Sequence, residues 1–367
     1  MNFYSKKILL LLLLSPASHV GLFAQKYSNE FLSIGVSARA QGMGNAVIAS
    51  VEDVTAGYWN PAGLANFSAE QGLQIGAMHS EWFAGVGKFD YLGMTLPLAN
   101  NNRRIALSLI RFGVDDIPNT LSLFESDGTV NYDNIISFSA ADYAFLGSYA
   151  QRLPLKNGKL LNFGGNVKIV RRVIGSFANS WGFGIDLGAQ YKSGNLRLGA
   201  MARDITTTFN AWHVTFSDDE KQVLLATGNE LPGINSLEIT KPQIILGAAY
   251  LFEFNKFSLN SEFNVTATTD GKRNTLVSGD PISLDPNVGV ELNYNDFIYL
   301  RTGLSQLQKE KDFDNRDTYI SRPAIGIGMR LYSLMVDYAY TDLGDSQNRY
   351  SHVISLLLDL KPKKENH

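Results

Sequence analysis

From about Glu70 onward, apolar and polar residues alternate with a period of two, the pattern of a β-sheet whose two faces meet different surroundings. Trp181, Phe183, Ile185, Leu187, Ala189 and Tyr191 take one face of a strand, and Gly182, Gly184, Asp186, Gly188, Gln190 and Lys192 the other. The same rhythm sets Phe163, Val167 and Ile169 against Asn162, Asn166 and Lys168, and Phe257, Leu259 and Phe263 against Ser258, Asn260, Glu262 and Asn264. It returns at Val288 to Tyr294, where Glu291 is on the polar face, and at Leu334 to Thr341. One face suits lipid and the other a wet or narrow interior. Fourteen strands are expected, centred near Ile75, Gly93, Ser108, Gly147, Val167, Leu187, Gly199, Gly247, Asn260, Gly289, Thr302, Gly328, Tyr338 and Leu356, each about nine to eleven residues long.

The connections sort by parity. Asn100–Asn102, Pro154–Lys159, Ser193–Asn195, Glu253–Lys256, Asn295–Asp296 and Tyr332–Ser333 are short. The alternate links Gly113–Ala140, Ile205–Lys241, Thr266–Asp285 and Gln306–Arg322 are long. Short turns at one end and long loops at the other belong to an outer-membrane barrel, and a soluble sandwich has no reason for such sorting. The fold class is therefore all-β: a 14-stranded antiparallel transmembrane barrel over residues 69–360. A basic tail, 361–367, follows the last strand, because Pro362 has no N–H to continue the ladder.

The first 25 residues read as a signal peptide. Lys6 and Lys7 precede a short leucine-rich run, and Phe23-Ala24-Gln25 offers a small-residue cleavage site. Apart from this leader, no apolar run is long enough for a membrane-spanning helix, so a spanning chain must close as a barrel. Composition agrees: 33 Gly, 21 Phe and 16 Tyr accompany only 18% charged residues. The net charge of −3, with no basic block, argues against nucleic-acid binding. The absence of cysteine removes disulfides, thiolate metal sites and a cysteine nucleophile.

Residues 26–68 do not alternate and are too few for an independent domain, so they are expected to pack as a plug inside or beneath the barrel. Ser50–Asp53 offers a helix cap, and Asn60-Pro61 a turn. Gly42 and Gly44 suit close packing, since no strand–loop–helix or Lys-Ser/Thr context supports a nucleotide loop. Gly42, Gly44, Trp59, Asn60, Pro61 and Gly63 are the plug and turn residues, with Trp59 as its anchor.

Ile34-Gly-Val-Ser-Ala-Arg-Ala-Gln-Gly-Met-Gly44, followed by Ala46–Ala49, Asp53, Thr55-Ala56 and Tyr58-Trp-Asn-Pro-Ala-Gly-Leu64, resembles the N-terminal signature of the PorV/PorQ family, within the wider group of FadL-like outer-membrane barrels. The resemblance is clearest over Ser33–Leu64 and implies a FadL-like barrel of fourteen strands. It also implies a non-enzymatic component of the type IX secretion system of Bacteroidota. Such a component binds the translocon barrel and the C-terminal sorting domains of cargo, and helps deliver cargo to the cell-surface attachment complex. The alternative is a FadL-like channel for uptake of hydrophobic small molecules, which the polar inward residues Asn162, Asn166, Lys168, Glu262 and Glu291 disfavour.

No metal-spaced histidine pair or nucleophile–base set stands out among the five histidines, so no catalytic, cofactor or metal residue is assigned. Asp115-Asp116 and Asp218-Asp219-Glu220 read as solvated loop acids rather than calcium ligands. Lys168, Arg171 and Arg172 lie at one strand's outward end and read as an ordinary rim charge cluster, with contact to lipopolysaccharide phosphates as the alternative. Trp82 and Phe83 in the first outer loop, and Trp212 and Phe216 in the longest, are the candidate partner-binding aromatics.

Overall fold

A computed structural model describes residues 28–67, 72–82, 85–98, 102–123, 129–226, 235–311, 316–341 and 351–360. The expected signal peptide, Phe83 and the basic tail lie outside them. Sixteen strand segments form one antiparallel sheet: β1 Leu73–Trp82, β2 Gly87–Pro97, β3 Arg103–Asn119, β4 Ile136–Pro154, β5 Leu160–Ile174, β6 Ala178–Ser193, β7 Leu196–Arg203, β8 Thr208–Val214, β9 Asn235–Thr240, β10 Gln243–Phe254, β11 Phe257–Thr268, β12 Ser283–Tyr294, β13 Ile298–Lys311, β14 Asp317–Leu331, β15 Leu334–Thr341 and β16 Ser351–Leu360.

Fourteen of these close a ring. Each pairs with its neighbour from β1 to β7 and from β10 to β16, β7 pairs with β10, and β16 returns to β1 with Leu73 opposite Leu360. Closure leaves no edge, as a sheet in lipid requires. Every expected strand centre falls in one of these fourteen. The remaining two segments, β8 and β9, prolong β7 and β10 beyond the ring as a hairpin, with β8 also paired to β6.

The short turns gather where β1 begins and β16 ends. Two-residue loops join β6 to β7 (Gly194-Asn195), β10 to β11 (Asn255-Lys256) and β14 to β15 (Tyr332-Ser333). Positive φ at Gly194, Asn255 and Tyr332 lets each turn follow the twist of its strands. The opposite end differs from expectation. The two ends of the stretch Gly113–Ala140 are strand, because β3 runs to Asn119 and β4 starts at Ile136. Likewise the Ile205–Lys241 loop resolves into β8, the helix Asp218–Ala226 and β9. A register shift between Val114 and Ile117 breaks the period of two in the first stretch, and β8 and β9, at seven and six residues, are shorter than the pattern of a membrane strand.

The faces sort as the alternation requires. Outward positions such as Leu107, Trp181, Leu246 and Ile325 are exposed on the single chain, whereas inward Asn162, Asn166, Lys168, Asp186, Glu262 and Arg301 are buried. They are buried because the plug fills the interior. From Val36 to Ala65 nearly every plug residue is inaccessible, and the hydrophobic core joins Val36, Met43, Ile48, Trp59 and Leu64 to wall residues such as Phe89, Ile110 and Met201.

Candidate functional site

The plug enters at the long-loop end and leaves at the short-turn end. At the top, the Asn29 amide donates to Thr240 Oγ1 (2.9 Å) and the Asn210 amide to Ser28 Oγ (2.9 Å). The chain then circles the wall. Ala38 N donates to Ser355 Oγ (3.0 Å), Ala49 N to Glu262 Oε1 (2.7 Å) and Val54 N to Gln74 Oε1 (2.7 Å). At the bottom, Arg152 donates to the Ala65 and Phe67 carbonyls (2.7 and 2.8 Å) just before β1. These inward polar side chains serve plug backbone that its short helices leave unpaired.

The plug's local structure follows from its small residues. Ser37 caps the helix Ala38–Gly42 through the Ala40 N–H. The helix expected near Ser50–Asp53 instead starts at Ala56 and runs to Trp59, because the Asp53 carboxylate accepts from Thr55 N (2.8 Å) and forms a turn first. Asn60 is extended, and its side chain caps the 3-10 turn Pro61–Asn66 through Ala62 N.

Glycines let backbone meet backbone. A Cβ on Gly303 of β13 would lie 2.1 Å from the Met43 carbonyl carbon, and one on Gly164 of β5 2.4 Å from that of Pro61. Gly44 has φ +60 and stands against Leu304, while Gly42 faces Gly326. Gly63 abuts the Val51 carbonyl within the plug itself. The Asn60 amide enters the space left by Gly188, while Gly199 gives room to the Ile48–Ala49 backbone, and Asn60 donates to the carbonyls of Ile48 (3.0 Å), Ala189 (3.1 Å) and Ala200 (3.4 Å). Trp59 is buried and donates to the Val36 carbonyl at 2.9 Å, with its ring edge-on to Tyr58. Thus the plug residues singled out in the sequence converge on contacts within the plug and with the wall.

Two ionic clusters span the interior. Arg39 of the plug grips Glu291 of β12 (Nε–Oε2 2.9 Å, Nη2–Oε1 3.0 Å), and Arg301 of β13 bridges Glu291 and Asp337 at 2.6 Å each. Burial alone would lower the Arg39 pKa, but the Glu291 carboxylate more than offsets it, so the guanidinium stays charged. In the second cluster Lys168 bonds Asp204 and lies 3.2 Å from Asp186. Asp204 and Thr207, both at positive φ, form the break between β7 and β8, and Thr208 also donates to Asp204.

This corrects the expected rim cluster. Lys168 is sealed in the interior, and Arg172 faces Asp142 and Glu238 rather than lipid. Only Arg171 turns outward, over the Trp181 ring. Alternation along β5 already puts Lys168 on the inward face, but spacing along one strand could not reveal its partners or those of Arg172, because the acids come from four other segments.

Above the plug lies an open vestibule of about 480 Å³. Its lining includes Asn45, Tyr58, Arg203, Asn264, Arg273, Asp285, Asn287, Gln306 and Arg322. The Asn45, Asp285 and Asn287 Oδ1 atoms are buried without a protein partner. Burial pushes the Tyr58 hydroxyl pKa up, against the pull of Arg203, and this hydroxyl donates to the Leu32 carbonyl. The vestibule offers mainly hydrogen bonds and charge, with Ile48, Trp59 and Ile245 as its apolar lining. Sequence reasoning missed it because its lining comes from the plug, the wall and the connection after β11.

The candidate aromatics are placed differently from loop tips. Trp82 ends β1, half-buried against the core, with its indole N–H on Ser80 Oγ (3.3 Å). Trp212 lies in β8 under the Arg172 guanidinium and donates to Glu238 (3.0 Å), and Phe216 packs on Phe177. Among the described residues, no group of three His, Asp or Glu side chains is placed to hold a metal ion. Lys221 pairs with Asp218 at 2.9 Å, and Lys88 with Asp115 at 3.0 Å.

No family model and no curated protein sequence matches the chain. Solved structures do. The Pseudomonas putida toluene transporter TodX aligns over 90% of this chain and 99% of its own, with TM-score 0.52 and 14% identity. The CymD monoaromatic hydrocarbon channel covers 92% and 100% (TM-score 0.53, 12% identity), and a Pseudomonas aeruginosa FadL homologue 88% and 98% (TM-score 0.51, 14% identity). The fold is that of the FadL-type outer-membrane barrel. At these identities the likeness establishes architecture; what the barrel handles has to come from its own interior.

Proposed function

We propose that this FadL-type barrel is a non-enzymatic outer-membrane component of the type IX secretion system, docking the translocon and cargo sorting domains. The observation that carries this reading is the interior: a plug held by the Arg39–Glu291–Arg301 cluster and by backbone contacts, beneath a mainly polar vestibule at the long-loop end. Such an interior suits polar recognition better than passage of a hydrocarbon. The PorV/PorQ-like signature over Ser33–Leu64 supports the same reading, since its residues build the plug.

The second reading, a channel for hydrophobic small molecules, has the solved neighbours on its side, because those named for a substrate are toluene or monoaromatic hydrocarbon transporters. Affinity capture of the tagged protein from gently solubilised outer membranes separates the two. Co-purification of a very large barrel and of secreted proteins with C-terminal sorting domains is the result expected. A lone barrel carrying fatty acid or aromatic hydrocarbon would overturn the secretion reading and establish the channel.

A further inference from the structure

The lipid-facing belt is uneven. Counted from the short turns, β6 carries six consecutive apolar or aromatic outward positions, from Tyr191 to Trp181, and β10 six from Phe254 to Ile244. On β2 only Leu96, Met94 and Leu92 precede the charged Asp90 and Lys88. On β1 His79 follows Leu73, Ile75 and Ala77, and on β3 Arg111 follows Ile105, Leu107 and Leu109. Each outward position of a tilted strand covers roughly 5 Å of membrane, so this face offers roughly 15 Å of apolar height where a bilayer asks for about 25 Å.

The polar groups above it form one cross-strand ladder. His79 Nδ1 lies 2.7 Å from Asp90 Oδ1, and Arg111 Nη1 3.1 Å from Asp90 Oδ2. All three side chains are partly exposed on the outer surface. Charged groups on the lipid face of a barrel are costly at bilayer depth. Beside the ladder and deeper in the belt, the wall is notched. Gly147 of β4 and Gly165 of β5 leave an open outward hollow of about 480 Å³ walled by Ile105, Leu107, Tyr149 and Val167. A Cβ on Gly147 would meet no atom within 4 Å. An acyl chain satisfies the hollow but not the ladder; a protein wall satisfies both, with an apolar knob in the hollow and polar groups against the ladder.

We infer that the β1–β5 face is a docking surface for another integral outer-membrane protein, seated within the membrane. This deepens the docking part of the proposed function and leaves cargo handling aside. The test places a photo-crosslinking phenylalanine derivative in the full-length protein in cells, at Leu107 on this face or at Leu246 on β10. Mass spectrometry then identifies the adduct.

Position 107 is expected to capture a defined integral outer-membrane protein other than this chain, and position 246 is not. Gly147→Trp, whose Cβ meets no atom within 4 Å and whose ring projects into the hollow, is expected to cut the adduct at least ten-fold while the barrel keeps its heat-modifiable gel mobility. Lipid adducts alone, a homodimer, or capture unchanged by Gly147→Trp would overturn the proposal. If the adduct forms while affinity capture returns no sorting-domain cargo, the secretion reading fails and the docking surface stands.

Discussion

The Arg39 guanidinium of the plug lies in a two-pronged grip on the Glu291 carboxylate of β12, which Arg301 shares from the other side. Plug and wall thus meet in a buried ionic cluster that both must enter together. Removing one member leaves an uncompensated charge, at a cost of about 3–5 kcal/mol for a buried pair. Glu291→Gln is expected to be the more severe change, because it weakens the partnership of two arginines. Arg39→Ala leaves Glu291 paired to Arg301 and is expected to cost about half as much. The midpoint of heat-modifiability on gels measures both, and single-channel recordings should show larger or more frequent openings in the two variants than in wild type.

Gly303 and Gly147 are both wall glycines, yet they are expected to respond oppositely. At Gly303 a side chain would overlap the Met43 backbone, whereas at Gly147 it would enter open space. Gly303→Val should destabilise by about 3 kcal/mol or more, since plug backbone has no room to retreat. Gly147→Val should stay within about 0.5 kcal/mol. Urea unfolding in detergent micelles, followed by tryptophan fluorescence, gives the comparison.

Asn60 serves three carbonyls from one buried amide and caps the following turn with its oxygen. Asn60→Ala leaves these groups unserved and is expected to cost about 2–3 kcal/mol. Asn60→Asp should be worse, because a carboxylate cannot donate to the carbonyls and is repelled by them. Limited proteolysis should release the plug of either variant faster than that of wild type.

Tyr58 titrates in a defined direction. Its folded pKa is raised above the ordinary value of 10.0 by burial, so the folded protein holds the phenolic proton that the unfolded chain releases. The stability this contributes is fully present below pH 10 and is lost as pH rises toward the folded pKa. Alkaline titration at 295 nm should show one tyrosine fewer ionising late in Tyr58→Phe than in wild type. The variant's stability should also fall less steeply above pH 10.

Legibility followed the chemistry of each element. The fourteen wall strands were readable because lipid on one face and a polar interior on the other impose a two-residue contrast. The turns were readable because membrane crossing alternates short and long links. The plug was readable as a departure from alternation, and its glycine and Asn-Pro residues as close-packing points. Trp212 reads as a loop residue because β8, at seven residues, is shorter than a membrane strand and its outward Phe209 and Ala211 give way to His213. The inward face of Lys168 follows from alternation, but its ion pairs do not, because its acids, Asp186 and Asp204, lie 18 and 36 residues away.

The sequence by itself determined a closed antiparallel barrel of fourteen strands with a small N-terminal segment unable to fold alone, since periodicity and turn length are local properties. Only the tertiary structure decided where that segment runs, which wall glycines it touches, and how Arg39, Glu291, Arg301 and Asp337 come together. It also decided that the vestibule is polar and that the belt thins over β1–β3. Those features depend on barrel closure and strand register, which bring distant residues to one depth, and no spacing along the chain encodes that depth directly.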